Sequence, residues 1–346
     1  MDNGGNAVAG RPDPASTADR FDEVLLGGRP SLTLAGVAEA AGVSVATARG
    51  FWRSLGFPDV DPGAVVFTHQ DAQALRVVDR LLERGIVDER TTTSILRAIG
   101  HVSDRLALWQ TESLVEDVAR RYELDDTTAR ILYLDRLPDV VPELEELLAY
   151  GWRRLMSALV RRTHDEVSLS HADDHVGDRL PLARAVGFAD LVAFTRRSAG
   201  LGQKELGALV EAFEDTARDV VTAAGARVVK MIGDAVLFVA DDLRTGAQVS
   251  LELLDAIRAL PADLSLRSSL VWGRVLSRSG DVFGATVNLA ARLADVAEPG
   301  TVLMDRASAA TLAQTGMTGI ALVPQYPTEI SGLGLVAPVE LRRVPS

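Results

Sequence analysis

The spacing of apolar residues changes once along the chain of 346 residues, and this change limits the fold more than any other feature. From Ser31 to about Arg162, apolar side chains recur every three or four residues, as at Leu114 and Val118, which is the period of an amphipathic helix. From Leu182 onwards, short β-like runs alternate with helical ones. The sequence therefore predicts an all-α N-terminal domain followed by an α+β domain.

These patterns divide the chain into four segments. Residues 1–19 are rich in Gly, Asp, Pro and Ala and have no periodicity, so we expect a disordered tail. Residues 20–162 form the predicted helical domain, residues 163–180 a polar linker, and residues 181–346 the α+β domain.

The α+β domain is predicted to follow the order β-α-β-β-α-β. Its elements are a strand at 185–190, a helix at 202–223, a hairpin of strands at 227–232 and 235–239, a helix at 243–259 and a strand at 264–275. This order is typical of a ferredoxin-like sheet with its helices on one face. A further helix at 286–296 and a strand at 301–304 follow.

The composition excludes several classes of protein. There is no cysteine, which excludes disulfides, thiolate metal sites and a cysteine nucleophile, and favours a reducing compartment. No uncharged apolar run approaches the roughly 20 residues that span a membrane. A formal net charge of −12 disfavours broad attraction to nucleic acid or anionic lipid. We therefore expect a cytoplasmic protein that binds neither membrane nor nucleic acid.

Two aspartates are expected to meet at one edge of the sheet. In a ferredoxin-like sheet the first strand lies antiparallel to the third, so Asp190 at the end of the first strand meets Asp234 in the turn before the third. Two close carboxylates repel each other unless a cation lies between them, and carboxylate oxygens suit Mg²⁺ or Mn²⁺. The pair is thus a predicted metal site.

Lys230 lies four residues before Asp234 and is one of only two lysines among 36 basic residues. A chain that otherwise uses arginine keeps an ammonium group here, which indicates a need for a compact charge on a flexible stem. Three segments around these residues resemble the motifs of class III nucleotide cyclases: FADLVAF at 188–194, KMIGD at 230–234 and DVFGATVNLAARL at 281–293.

This resemblance covers about residues 180–346 and implies an adenylate cyclase with two Mg²⁺ or Mn²⁺ ions in each active site. It implies that Asp190 and Asp234 hold both ions. Lys230 would donate a hydrogen bond to N1 of adenine, and Asp281 would accept one from the exocyclic amine. Because guanine presents the reverse pattern, the lysine and aspartate would select ATP over GTP.

The resemblance also implies roles for Asn288 and Arg292, which are four residues apart and face the same way on a helix. Asn288 would position the ribose, and Arg292 would stabilise charge on the α-phosphate. Relatives place a phosphate-binding residue at the position of Arg274. Many also have a lysine near Ser331 that this chain lacks, so we expect Arg267 or Arg274 to replace it.

In the family, the metal-binding aspartates of one subunit work with the purine-binding and catalytic residues of another. This chain carries both sets in one catalytic domain, which implies a head-to-tail homodimer with two equivalent sites. A catalytically silent cyclase fold that binds nucleotide is the alternative, although no expected metal-binding or catalytic position is lost. A diguanylate cyclase is disfavoured, because its Gly-Gly-Asp/Glu-Glu-Phe turn is missing.

The N-terminal half contains a helix-turn-helix-like element at residues 32–49, with Gly42 at the turn and Ser44 as a helix cap. DNA binding is disfavoured, because residues 1–164 hold more acidic than basic residues. The layout resembles the regulatory domain that precedes some actinobacterial cyclase domains, which implies control that is usually inhibitory. Its last helix, at 143–162, is either a core helix or a dimer seam.

The predicted linker contains three of the five histidines, His164, His171 and His175, among carboxylates. Three interpretations are open: a solvated linker, a pH-responsive hinge and a metal site. Since neighbouring carboxylates favour the charged form of histidine, we hypothesise that mild acid activates the enzyme.

Overall fold

The structure, a computed structural model, describes residues 21–172, 183–192, 200, 202–260, 264–278, 280–330, 332 and 334–344. The chain divides into two compact units, Met1–Asp173 and Asp174–Ser346. The predicted tail at 1–19 lies outside the described residues. None of the described helices is both long enough and apolar enough to cross a membrane.

The N-terminal unit is built from helices. These are α1 (Leu34–Ala41), α2 (Val45–Leu55), α3 (His69–Glu83), α4 (Glu89–Tyr122) and α5 (Asp126–Ala172). The first four follow a residue whose side-chain oxygen accepts a hydrogen bond from a first-turn amide: Thr33, Ser44, Thr68 and Asp88. Such caps satisfy amides that have no partner within the helix. Gly42, between α1 and α2, has a φ of 80°, which glycine adopts without strain.

The last helix of this unit differs from the prediction at both ends. The sequence pattern places it at 143–162, whereas α5 runs through Pro138 and Pro142 and ends at Ala172. Residues 163–172, predicted as part of the linker, are therefore helical. They contain neither glycine nor proline, so the usual signals that end a helix are missing there.

Two apolar clusters hold the N-terminal unit together. The larger one joins α1, α2, α3 and α4 through buried side chains: Leu34, Val37, Ala48, Phe51, Leu75 and Leu96. The smaller one joins α4 to α5 through Val115, Val118 and Ala129. Further along α5, large apolar side chains are exposed: Leu147, Leu148, Tyr150, Trp152, Leu155, Met156, Leu159 and Val160. These side chains belong to neither apolar cluster of the N-terminal unit, and whether 143–162 is a core helix or a dimer seam stays a prediction.

The C-terminal unit is α+β, as predicted. Its elements are β1 (Ala183–Leu191), α6 (Gln203–Ala223), β2 (Arg227–Ile232), β3 (Ala235–Ala240), α7 (Leu243–Arg258), β4 (Leu266–Arg274), β5 (Leu276–Arg278), β6 (Asp281–Phe283), α8 (Ala285–Val296), β7 (Val302–Met304), α9 (Arg306–Gln314), β8 (Ile320–Pro324), β9 (Thr328–Ile330), β10 (Gly334–Val336) and β11 (Val339–Arg343).

Seven strands form one sheet in the order β2-β3-β1-β4-β7-β11-β8. The strand β1 is antiparallel to both β3 and β4, and β4 is parallel to β7. The strands β2, β3, β1 and β4 have the order of a ferredoxin-like sheet, as predicted, and the other three extend it. Two hairpins, β5-β6 and β9-β10, are separate two-stranded sheets.

The two helices of the β-α-β-β-α-β order, α6 and α7, lie on one face of the sheet, as predicted, and α8 covers the other face. The core on the first face contains buried residues of α6, α7, β3 and β4: Phe213, Leu253, Phe238 and Leu270. On the second face α8 packs against Val186 and Leu237. The central strands carry apolar residues on both faces, and each face needs a cover. Val186, Phe188 and Asp190 follow one another at every second position of β1, so their side chains lie on the same face of the sheet. This is the face that α8 covers.

Candidate active site

Asp190 and Asp234 lie together at one edge of the sheet, where the topology predicts them. Asp190 is opposite Ala235 in the antiparallel pairing of β1 with β3, and the amide of Leu191 donates a hydrogen bond to the carbonyl oxygen of Asp234 at 3.0 Å. Gly233, with a φ of 60°, makes the tight turn that precedes Asp234. The fold therefore presents two carboxylates at the ends of neighbouring strands.

Arg267 holds Asp190 from the other neighbouring strand. It lies directly opposite Asp190 in the pairing of β1 with β4, and its Nε and Nη2 donate to Asp190 Oδ2 at 2.8 and 2.6 Å. Burial raises the pKa of the Asp190 carboxyl, Arg267 opposes this rise, and the charges of Asp234 and Asp295 add to it. Asp190 is thus a partly desolvated carboxylate beside other negative charge, and a divalent cation would relieve this repulsion.

The carboxylates at this edge fit a hard cation. Within the described part of the chain, no cluster of three or more histidine, cysteine, aspartate or glutamate side chains forms a complete metal site from protein ligands alone. The donors here are Asp190 and Asp234, whose oxygens suit an ion that completes its coordination with phosphate oxygens and water.

Lys230 and Asp281 form a second pair. They are 51 residues apart in sequence, yet Nζ of Lys230 donates to Oδ2 of Asp281 at 2.5 Å, between β2 and β6. This hydrogen bond lowers the pKa of the Asp281 carboxyl, and the amide of Val282 donates to its other oxygen at 2.8 Å. The pair therefore presents one fixed donor and one fixed acceptor side by side.

Asn288 and Arg292 lie on the exposed face of α8, one turn apart. The opposite face of the helix is buried and consists of Val287, Ala290, Leu293 and Ala294. This amphipathic pattern fixes which face of α8 points away from the sheet. Nη1 of Arg292 lies 3.4 Å from Oδ2 of Asp295 in the next turn.

Arg274, predicted to contact phosphates, is not near the aspartate edge. It lies opposite Ala183, at the far end of β1 from Asp190, and is exposed. Arg267 is the arginine that contacts Asp190. From the sequence, it is predicted only to take the role of the lysine that is missing near Ser331. The sequence alone carries no signal for this contact, because it depends on the exact register of β1 against β4. Ser331, where relatives have that lysine, lies outside the described residues.

The linker histidines are described only in part. His164 is exposed on α5, while the side chain of His171 and all of His175 lie outside the described residues. Their suggested roles as a pH-responsive hinge or a metal site stay predictions.

Hydrogen bonds and ion pairs arrange the site residues in two groups. Arg267 joins Asp190 to the C-terminal end of α8, where Arg292 lies, whereas Lys230 pairs with Asp281. Among the described residues, no hydrogen bond or ion pair links one group to the other.

A family model described as the adenylate and guanylate cyclase catalytic domain matches residues 183–336, which contain both groups. An adenylate cyclase of Glutamicibacter nicotianae is 40% identical over 332 residues, which cover 94% of this chain and 82% of that protein. The chain belongs to the adenylate and guanylate cyclase family. The resemblance of its three motifs to class III cyclases is thereby confirmed.

Two further relatives show how far the similarity extends along this cyclase. An adenylate cyclase of Streptomyces coelicolor is 36% identical over 369 residues, covering 96% of this chain and 94% of that protein. A pH-sensitive adenylate cyclase of Mycobacterium tuberculosis is 28% identical over 274 residues, covering 78% of this chain and 66% of that protein. The coverage includes the helical unit as well as the catalytic domain. Cyclases of this family generally use divalent metal ions.

Proposed function

We propose that this cyclase converts ATP to 3′,5′-cyclic AMP and pyrophosphate. The ribose 3′-hydroxyl attacks the α-phosphorus and forms a new P–O bond. The bond between the α-phosphorus and the oxygen that bridges to the β-phosphate breaks, pyrophosphate leaves with that oxygen, and the hydroxyl proton passes to water. The observation that carries this proposal is the pairing of Lys230 with Asp281 at 2.5 Å. The printed names of the relatives from Glutamicibacter and Streptomyces support it.

Lys230 and Asp281 match adenine rather than guanine. The ammonium group of Lys230 can only donate and suits N1 of adenine, an acceptor. Because its pKa is lowered, the Asp281 carboxylate stays ionised and can only accept, which suits the exocyclic amine. Guanine has a donor at N1 and an acceptor at O6, so it would leave both protein groups unpaired.

Asp190 and Asp234 would hold the divalent cations, two Mg²⁺ or Mn²⁺ ions in each active site. When bound, such cations lower the pKa of the attacking hydroxyl and neutralise the triphosphate. Asn288 would orient the ribose, and Arg292 would stabilise the charge that develops on the α-phosphate. For the β- and γ-phosphates, the position of Arg267 beside Asp190 favours it over Arg274.

We further propose that two chains form a head-to-tail dimer, with each site built from both. Three exposed apolar side chains lie beside the Lys230–Asp281 pair: Ile232, Leu276 and Phe283. Leu276 and Phe283 are direct partners in the β5-β6 hairpin, and such a patch indicates a surface that another chain covers. The exposed apolar residues of α5 supply a second seam between the same two chains.

The experiment that tests this function is direct. The full chain, given ATP or GTP with Mn²⁺ or Mg²⁺, is expected to form cyclic AMP, with little cyclic GMP. The products are measured by chromatography or mass spectrometry. If no product forms with either metal, the result favours the alternative function, a catalytically silent module that only binds nucleotide. Cyclic GMP as the main product would instead contradict the adenine-specific roles of Lys230 and Asp281.

We also propose that the helical unit controls the catalytic domain in the cytoplasm by inhibition that mild acid relieves. The printed name of the pH-sensitive relative from Mycobacterium tuberculosis and the exposed position of His164 support this control. Protonation of His164, His171 and His175 in mild acid would add positive charge to the segment of the chain that connects the two units.

A histidine variant tests the acid response. The wild-type chain is expected to gain kcat as the pH falls from about 8 to about 6, and changing His164, His171 and His175 to glutamine is expected to flatten this rise. The other two histidines, His69 and His101, supply the matched control, since their glutamine variants should keep the wild-type profile. If the triple variant keeps the wild-type pH profile, these histidines do not sense pH.

A further inference from the structure

The exposed face of α8 carries a third polar residue in line with the two catalytic candidates. Asn288, Arg292 and Asp295 occupy positions i, i+4 and i+7 of the helix, and all three are exposed. Residues with this spacing lie on one stripe of a helix. Asp295 therefore belongs to the same surface as Asn288 and Arg292, although the family motif implies no role for it.

The backbone of Asp295 is held in place by Arg267. Nη1 of Arg267 donates to the carbonyl oxygen of Asp295 at 2.7 Å, while Nε and Nη2 of the same guanidinium bind Asp190. Carbonyl groups in the last turn of a helix have no partner within the helix, and this end carries partial negative charge. A guanidinium is a suitable cap here, so Arg267 fixes the last turn of α8 to the metal-binding edge.

The side chain of Asp295 is directed to Arg292. Its Oδ2 lies 3.4 Å from Nη1 of Arg292, and both side chains are about half exposed. Arginine has many rotamers, and a fixed negative charge one turn away restricts them. Because Arg267 anchors the backbone of Asp295, the carboxylate of Asp295 is an ion-pair partner for Arg292 that is attached to a fixed point of the backbone.

We propose that Asp295 is a positioning residue that orients the guanidinium of Arg292 for the cyclisation reaction. This inference rests on the proposed function of Arg292 as the group that stabilises transition-state charge. A donor that is oriented before the reaction stabilises developing charge more effectively than one that must first be ordered. Losing that orientation should lower kcat and leave the affinity for ATP almost unchanged, since the interaction is made in the transition state.

The first test compares two ion pairs of equal exposure. Asp295→Ala removes the partner of Arg292, and Asp255→Ala removes the partner of Arg343, whose Nε lies 3.0 Å from Asp255 Oδ2 on another part of the domain. The carboxylate side chains of both pairs are 56% exposed. We expect Asp295→Ala to lower kcat about three- to tenfold with KM for ATP changed less than about twofold, and Asp255→Ala to change neither. Asp295→Glu should recover part of the loss.

A second test shows whether Asp295 acts through Arg292. In an Arg292→Lys background, which lacks the guanidinium, adding Asp295→Ala should lower kcat by less than about twofold. A further three- to tenfold loss there would overturn the proposal, because the two effects would be independent. If Asp295→Ala unfolds, as judged by thermal melting, the isosteric Asp295→Asn replaces it and is expected to lower kcat in the same direction.

The remaining outcomes separate this inference from the proposed function. If the wild-type chain forms cyclic AMP but Asp295→Ala behaves like Asp255→Ala, only the positioning role is overturned. A rise in kcat for Asp295→Ala also overturns it, because Asp295 would then hold Arg292 away from the reaction. If the wild-type chain forms no cyclic AMP with either metal, the proposed function itself fails and the role of Asp295 fails with it.

Discussion

Co-expression of an Asp190→Ala chain with an Arg292→Ala chain is expected to restore the cyclic AMP formation that neither variant supports alone. In the proposed head-to-tail dimer, Asp190 and Arg292 of one chain serve different active sites: Arg267 links both to one end of the sheet, but the exposed side chain of Arg292 would act on nucleotide held by the partner's aspartates. A mixed dimer therefore has one site that carries both substitutions and one site that carries neither. Each single variant should lose about 10²–10³-fold in kcat, because every one of its sites lacks a charged group that acts on the reacting phosphate.

Two affinity tags allow the mixed dimer to be purified and its rate measured. With one intact site of two, its specific activity should be about half that of the wild-type dimer. The control pairs Asp190→Ala with Asp234→Ala, which lie in the same metal-binding group, so every dimer has two damaged sites. Restoration in that control, or none in the mixed dimer, would contradict the shared sites even if the wild-type chain makes cyclic AMP.

The parts of the site that depend on local sequence could be predicted. The turn at Gly233 and Asp234 separates two short apolar runs, which is a strong hairpin signal, and the order of strands and helices then places Asp190 beside Asp234. The pairing of Lys230 with Asp281 has a different origin. The two residues are 51 positions apart, and only the resemblance to a family connected them.

The parts that depend on long-range packing could not be predicted. Arg267 lies 77 residues from Asp190, and their contact requires the exact pairing of β1 with β4, which a single sequence does not specify.

The position of α8 on the second face of the sheet does have a signal in the sequence. The run from Val236 to Val239 in β3 is continuously apolar, which is typical of a strand covered on both faces.

Exchanging Lys230 and Asp281, by Lys230→Asp together with Asp281→Lys, is expected to reverse the choice of nucleotide. The exchange places the acceptor where the donor was, which matches N1–H and O6 of guanine instead of N1 and the amine of adenine. We expect kcat/KM for ATP to fall by about 10⁴-fold, because polar groups that the bound base covers but leaves unpaired strongly reject the wrong base. GTP should become the better substrate, as measured by the rates of cyclic AMP and cyclic GMP formation.

The exchange keeps the attraction between the two side chains, so the free energy of unfolding should change by less than about 1 kcal/mol for this half-exposed pair. Either substitution alone places two like charges together and should lower the rates with both nucleotides. Exchanging Asp255 and Arg343, an ion pair on another part of the domain, should leave the preference for ATP unchanged. If turnover is lost, calorimetric binding of ATP and GTP still reports the preference. An exchanged variant that continues to prefer ATP would show that base selection lies outside this pair.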